Sequence, residues 1–226
     1  MNFVSQASVV SIKEIQPDIR EYVLDVENVR RYNPGSFVQL SLKQVTASEI
    51  WPDSRTFSIA SWEGGRMRFI IQRVGSYTSR IFNELQVGGK CTIKYPYGDM
   101  FDKKRINEQH LFVAGGVGIT PFLGLSKYFF DNGLISQVRL LYSVKTAKDL
   151  IEPDFLSRVF GDRLSLFITR EAVPGSFHRR IAIDDVLAAS DTQTNVYICG
   201  SKEFNDCFAR QLREAGYAKI LMDEWE

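Results

Sequence analysis

Apolar positions in the first hundred residues recur at every second place, in short runs. These are 4–15 (VSQASVVSIKEI), 19–27 (IREYVLDVE), 36–45 (SFVQLSLKQV), 55–62 (RTFSIASW), 66–74 (RMRFIIQRV) and 90–97 (KCTIKYPY). A period of two places successive side chains on opposite faces, the mark of a half-buried strand. Asn33-Pro34-Gly35, Gly64-Gly65 and Gly88-Gly89 fall between the runs, where chain reversal needs turn residues. Six such strands predict a small antiparallel β-barrel. One stretch, SRIFNEL near residues 79–85, breaks the alternation with helical spacing.

The pattern changes after a charged stretch, DKKRINEQ at 102–109. Continuous apolar runs at 110–115, 137–144, 164–169, 195–200 and 219–222 now alternate with segments of helical spacing at 122–131, 154–160, 182–189 and 203–217. Strands that are apolar throughout are buried on both faces, so this alternation predicts βα units and a parallel sheet covered by helices. The chain is therefore expected to form two domains, 1–104 and 105–226.

Composition narrows the class. The 226 residues are 44% hydrophobic and 24% charged, as in ordinary globular proteins. A formal net charge of +1 with both signs interspersed gives no electrostatic footprint for nucleic acid. No window of about 18 uninterrupted apolar residues predicts membrane insertion, and the first residues lack the layout of an export signal. Cys91, Cys199 and Cys207 have neither disulfide-framework nor cluster-ligand spacing, and His110 and His178 lack metal-ligand spacing, so no metal is expected. The histidines read as surface or strand-end residues. A reducing, cytoplasmic setting is the expectation, and the oligomeric state is left open.

Two glycine-bearing turns stand out in the second half. In HLFVAGGVGITPFLGL, Gly115, Gly116 and Gly118 follow a strand and precede a helix with Pro121 in its first turn. Missing side chains let backbone approach a ligand, and free N–H groups at the helix start favour a pyrophosphate. NVYICGSKEFND carries a second strand into Cys199-Gly200-Ser201 and a helix. In a parallel sheet both turns lie at the carboxyl edge, where such sheets bind ligands. Taken alone, each turn is equally a packing device, and Cys199 a buried small residue.

In the first half, RTFSIAS places Arg55, an aromatic and two serines on one strand. Arg55 suits a pyrophosphate, Phe57 a flat ring, and Ser58 a ring nitrogen. GSYTSRIF offers Gly75, Ser76, Thr78 and Ser79 at a helix start, a second anion site. Singly, these motifs also read as an ion pair and helix caps.

In order, Arg-x-aromatic-Ser, the Gly/Ser/Thr helix start, Gly-x-Gly-x-x-Pro and Cys-Gly resemble the ferredoxin–NADP reductase superfamily along essentially the whole chain. YPYGDMF at 95–101 and the terminal MDEWE are similar to further family segments. The resemblance implies an N-terminal six-stranded antiparallel barrel for flavin and a C-terminal Rossmann-like parallel α/β sheet for NAD(P). It assigns Arg55, Thr56, Phe57, Ser58, Ile71, Gln72, Arg73, Ser76, Thr78, Ser79 and Trp225 to the flavin. It assigns Gly116, Val117, Gly118, Ile119, Thr120, Pro121, Cys199, Gly200 and Ser201 to the dinucleotide, with Ser58, Cys199 and Glu224 bordering hydride transfer. Phe57 stands where the family usually has tyrosine, and Ser76 where ferric reductases and related oxidases have an acid. Ring-hydroxylating oxygenase reductases share GVGITPF.

The implied cofactors are FAD, ahead of FMN, with NADPH or NADH. A 2′-phosphate needs cations and hydroxyls whereas a free ribose suits an acid. Ser143, Lys145, Lys148 and Arg170 favour NADPH, with Asp149 opposed. Without a Cys-x₄-Cys-x₂-Cys run of its own, the chain is expected to pass single electrons to a separate iron–sulfur or other redox protein. A diffusible flavin or ferric reductase and a non-catalytic flavin-binding redox sensor are the alternatives.

Overall fold

A computed structural model describes residues 2–30, 32–98 and 100–222, apart from the Trp62 side chain. The chain divides into two compact units, Met1–Phe101 and Asp102–Glu226.

The first unit contains β1 (Phe3–Gln16), β2 (Ile19–Val26), β3 (Phe37–Ser41), β4 (Arg55–Ser58), β5 (Ser61–Glu63), β6 (Arg66–Gln72), α1 (Ser76–Glu84) and β7 (Lys90–Tyr97). Its sheet runs β4-β3-β7-β1-β2-β6-β5, antiparallel throughout. The run at 55–62, expected as one strand, is two. β4 pairs with β3, while β5 pairs with β6 at the opposite end of the order. Between them the Ile59 amide donates to Ser36 and the Ala60 amide to Arg68. One continuous segment thus serves as both edges of the sheet and closes it into the six-stranded barrel. β3 is shorter than its apolar run, because beyond Ser41 the backbone turns to side-chain partners: the Val45 amide donates to Thr92 Oγ1, and Gln6 Nε2 donates to the Val45 carbonyl.

The alternation along these strands fills the barrel. Val38, Leu40, Met67, Phe69, Ile71, Ile93 and Tyr95 point inward, and Ile81, Phe82 and Leu85 of α1 join the same core. Full burial of each such side chain contributes about 1.5–3 kcal/mol. Buried Cys91, facing the same core, has its thiol pushed up to about 12 by desolvation, so it stays protonated and packs as a small apolar group.

The second unit contains β8 (His110–Gly115), α2 (Thr120–Asp131), β9 (Val138–Val144), α3 (Pro153–Phe160), β10 (Leu164–Ile168), α4 (Ile183–Ala189), β11 (Asn195–Cys199), α5 (Lys202–Glu214) and β12 (Ile220–Met222). The parallel sheet runs β10-β9-β8-β11-β12. From the central β8 the chain winds outward to β9 and β10, then returns to place β11 and β12 on the other side. The strand order therefore reverses between β8 and β11.

Alternation on β8 sorts the two faces. Leu111 and Val113 join Leu141, Val196, Ile198 and the α5 residues Phe208 and Leu212 in one hydrophobic core. Phe112 turns the other way, stacked on Phe122 at 4.7 Å and edge-on to Tyr197 at 5.4 Å. His110 shares that face. It stands at a strand end as expected, but only 1% of it is exposed, which corrects the surface alternative. Its Nε2–H donates to the Arg105 carbonyl at 3.1 Å, and its Nδ1 accepts from the Tyr197 hydroxyl at 3.2 Å. Burial pulls its pKa down to about 4, which fixes the neutral form that this pair of bonds requires. No helix among the described residues is long and apolar enough to cross a membrane.

Candidate functional site

On the barrel, β4 and α1 form one surface around Tyr77. The i, i+4 spacing of Tyr77 and Ile81 puts both on the buried face of α1. The Tyr77 hydroxyl accepts from the Leu42 amide at 3.2 Å and lies 3.0 and 3.1 Å from the Leu40 and Asp53 carbonyls, which share its single proton. It ties the helix start to β3 and to the approach of β4. The guanidinium of Arg55 lies 4.9 Å from this ring and that of Arg80 5.7 Å. Arg55 also donates to Asp53 at 2.8 Å and to the Ser54 carbonyl at 2.7 Å. Both arginines are half exposed and their carboxylate pairs are surface pairs, a class worth about 0.2–1 kcal/mol, so an anionic ligand can displace them.

The first turn of α1 has no acidic residue, and Gly75 before it offers no side-chain cap. The helix start thus presents amides and a positive dipole end beside Arg55. Ser76 is exposed and Ser79 partly so. Thr78 is engaged differently: its Oγ1 accepts from the amides of Val74 and Gly75 at 2.9 and 3.0 Å and donates to the Gly75 carbonyl at 3.1 Å. It shapes the loop. Ile71 is buried in the barrel core, while Gln72 Nε2 donates to Asp18 and Arg73 is exposed. Ser58 is buried opposite Phe37, whose ring stacks on Tyr97 at 5.5 Å; Thr56 lies opposite Gln39, which accepts from the Tyr97 hydroxyl. Phe57 packs partly against the core. These residues suit a flavin phosphate at the helix start better than they suit a ribityl chain, since Phe57 has no hydroxyl and that of Thr78 is taken.

In the second unit the two glycine turns meet. Cys199 and Ala114 are register partners on adjacent parallel strands, so both loops leave the sheet at one edge. A Cβ on Gly118 would lie 2.1 Å from the Cys199 carbonyl oxygen and 2.8 Å from the Gly200 nitrogen. Only glycine allows that contact. Gly116 has φ +56° and open space around its Cα, so at this residue the backbone itself is the available surface. Phe204 in the first turn of α5 fills the space beside both loops, 3.5 Å from where a Gly115 Cβ would stand and 2.6 Å from a Gly200 Cβ. Ile119, Thr120 and Pro121 are buried as the start of α2, with Thr120 Oγ1 donating to the Val117 carbonyl at 2.7 Å. Ser201 caps α5, accepting from the Phe204 amide at 3.2 Å. Cys199 is 5% exposed.

Further along the same edge, Ser143 pairs in register with Gly115. The Arg170 amide donates to the Lys145 carbonyl at 2.9 Å, which sets two exposed cations side by side beyond β9 and β10. Asp149, the residue opposed to a 2′-phosphate, is engaged locally: one carboxylate oxygen accepts from the amide and the hydroxyl of Thr146 at 2.7 and 2.8 Å. Glu224 and Trp225 lie outside the described residues.

Sequence reasoning passed over Tyr77, although its spacing from Ile81 marks it as an anchor. It also passed over Asn205. That residue sits on the buried stripe of α5 with Phe208, Ala209 and Leu212, a polar side chain where the period calls for an apolar one. It is 8% exposed, and its Oδ1 is buried with no hydrogen-bond partner.

Comparison with known proteins agrees with the two-part fold. Residues 112–210 match the oxidoreductase NAD-binding domain family. The phenol hydroxylase P5 protein of Acinetobacter pittii (strain PHEA-2) is 26% identical over 65% of this chain and 40% of its own length. The dihydroorotate dehydrogenase B (NAD(+)) electron transfer subunit of Streptococcus pneumoniae serotype 4 is 28% identical over 85% and 74%. The chain spans only 28–62% of the length of several of the curated relatives it matches. Among solved structures, a ferredoxin NADP+ reductase from Neisseria gonorrhoeae, determined with bound FAD and NADP, superposes with a TM-score of 0.79 at 20% identity over 97% of this chain and 98% of that one. The chain shares the two-part barrel and parallel-sheet fold of that structure.

Proposed function

We propose that the chain is an NAD(P)H-dependent flavoprotein reductase that passes electrons to a separate acceptor. The observation that carries this reading is the packing of Gly118 against the Cys199–Gly200 backbone, which holds two amide-bearing turns together at the reversal of strand order. The flavin supplies the chemistry, accepting a hydride and releasing electrons singly. The residues supply binding and orientation: Gly116 to Pro121 hold the dinucleotide pyrophosphate, Cys199 to Ser201 border the nicotinamide, and Lys145 with Arg170 hold the adenosine end. Arg55 and the acid-free start of α1 hold the flavin phosphate, and Ser58 on β4 faces its ring. Glu224 and Trp225 complete the set as residues bordering the flavin.

Asp149 turns to Thr146 and the Glu171 carboxylate to the Ala147 amide, which leaves the exposed Lys145 and Arg170 as the groups open to a 2′-phosphate and favours NADPH. FAD is the expected flavin, and the acceptor an iron–sulfur or other redox protein; the phenol hydroxylase and dihydroorotate dehydrogenase components named above support a reductase that works beside a partner. A cytoplasmic location is part of the reading. The bonds that engage the Thr78 hydroxyl favour a second reading, a reductase that holds flavin loosely and serves a small diffusible acceptor. The test is purification of the full chain, identification of released flavin, and stopped-flow mixing with NADPH and NADH. Retained flavin that bleaches faster with NADPH supports the first reading, and flavin lost on gel filtration supports the second. Flavin that neither nucleotide reduces refutes both.

A further inference from the structure

The ladder between β9 and β10 runs past the last residues of both strands. Ile168 is the register partner of Val144, the Thr169 amide donates to the Val144 carbonyl at 3.1 Å, and the Arg170 amide donates to the Lys145 carbonyl at 2.9 Å. The next rung uses a side chain. The Ala147 amide donates to the Glu171 carboxylate, while the intervening Thr146 amide turns to Asp149 of its own loop. Lys145 and Arg170, both exposed, therefore stand between two ties that join their loops, one at the Lys145 carbonyl and one at the Ala147 amide. From Arg170 the chain leaves the sheet and returns at Phe177, whose amide donates to the Leu166 carbonyl at 2.8 Å and whose carbonyl accepts from the Ile168 amide at 2.9 Å. Glu171 holds the outgoing foot of that excursion, at the residue next to Arg170. A carboxylate that accepts an N–H makes a charge-assisted bond, roughly twice as strong as a neutral one. Its negative charge opposes a phosphate nearby, so what it offers a 2′-phosphate site is the bond and the order it imposes. Long cationic side chains lose freedom when they grip a ligand, and a fixed backbone beneath them lessens that cost.

From this placement we infer that Glu171 is a positioning residue for 2′-phosphate recognition: its carboxylate locks the loop that carries Lys145 to the loop that carries Arg170, so that both cations meet one phosphate. The inference rests on the NADPH reading above. It makes an acid, placed beside the cations, a determinant of selectivity for the phosphorylated nucleotide.

The test is calorimetric titration of the full chain and of its Glu171→Ala and Glu171→Gln variants with 2′-phospho-ADP-ribose and ADP-ribose, which differ only in the 2′-phosphate. Glu171 is exposed, so neither variant disturbs the core. Wild type is expected to favour the phosphorylated probe about tenfold, the order of one charge-assisted hydrogen bond. Glu171→Ala should lower that preference about fivefold and leave ADP-ribose affinity unchanged, while Glu171→Gln, whose amide oxygen still accepts from Ala147, keeps the preference. Both variants remove the charge, so the difference between them isolates the bond. A preference in Glu171→Ala no lower than that of wild type, one lost equally in Glu171→Gln, or a loss of affinity shared by both probes overturns the role of Glu171 alone. A wild-type chain that binds both probes equally overturns the 2′-phosphate reading, and one that binds neither overturns the dinucleotide reading; this inference falls with either.

Discussion

Replacing Gly118 by alanine adds one methyl group at the point where the two turns touch. That carbon would stand 2.1 Å from the Cys199 carbonyl oxygen and 2.5 Å from its carbonyl carbon, where ordinary contact begins at 3.4 Å. The obstructing atoms are backbone, so no side-chain rotation relieves the clash. The loops must part by roughly 1 Å, which opens the seam between β8 and β11. Overpacking in well-packed sites costs about 1–3 kcal/mol, and a backbone obstruction belongs at the upper end, near 3 kcal/mol. Gly116→Ala provides the contrast: its φ of +56° imposes a left-handed penalty of about 1–2 kcal/mol, but the added carbon meets nothing within 4 Å. Urea denaturation of the full chain, followed by signals of the second unit, should give a loss for Gly118→Ala at least 1 kcal/mol larger than for Gly116→Ala. NADP+ affinity measured by calorimetry should fall at least tenfold in Gly118→Ala. A Gly118→Ala protein within 1 kcal/mol of wild type, with unchanged NADP+ affinity, would refute the packing account of the site.

Other outcomes follow from the same geometry. His110 has its pKa depressed from the usual 6.5 to about 4 by burial, so the unfolded chain binds the extra proton first as pH falls. Stability is then full above about pH 6.5 and declines by about 3 kcal/mol toward pH 4, and His110→Phe should flatten that part of a denaturation-midpoint profile between pH 4 and 8. Tyr77→Phe leaves the Leu42 amide without its acceptor and should cost about 1–3 kcal/mol of barrel stability in urea, with weaker flavin retention on gel filtration. Arg170→Gln should lower kcat/KM for NADPH about tenfold while that for NADH holds; equal losses for both would remove Arg170 from 2′-phosphate recognition. Asp149→Ala, which removes the acceptor of the Thr146 amide and hydroxyl, should cost about 1 kcal/mol and leave the NADPH-to-NADH ratio unchanged.

The architecture was legible because each unit follows a single period: alternation through β1 to β7, then buried runs separated by helices. The division of the 55–62 run was not legible. Its apolar pattern is continuous, and only the Ile59 and Ala60 hydrogen bonds, made to strands distant in sequence, show that it changes partners to close the barrel. The glycine turns could be read as loops, but their meeting depends on β8 and β11 being neighbours, which no local pattern encodes. Charge was the hardest to read. Asp149 and Arg170 carry equal weight in a sequence, and the Thr146 bonds to Asp149 and the Ala147 bond to Glu171 come from the fold, not from the pattern. Tyr77 and Asn205 were visible as departures from expectation on helical stripes, one a polar-tipped ring and the other an amide, but their bonding states come from tertiary structure.

The most direct test of the account is anaerobic stopped-flow mixing of the flavin-loaded chain with NADPH, following the visible flavin absorbance. The account predicts bleaching that saturates with NADPH concentration and slows strongly in Gly118→Ala. A flavin that keeps its absorbance, or one bleached at the same rate in Gly118→Ala, would contradict it.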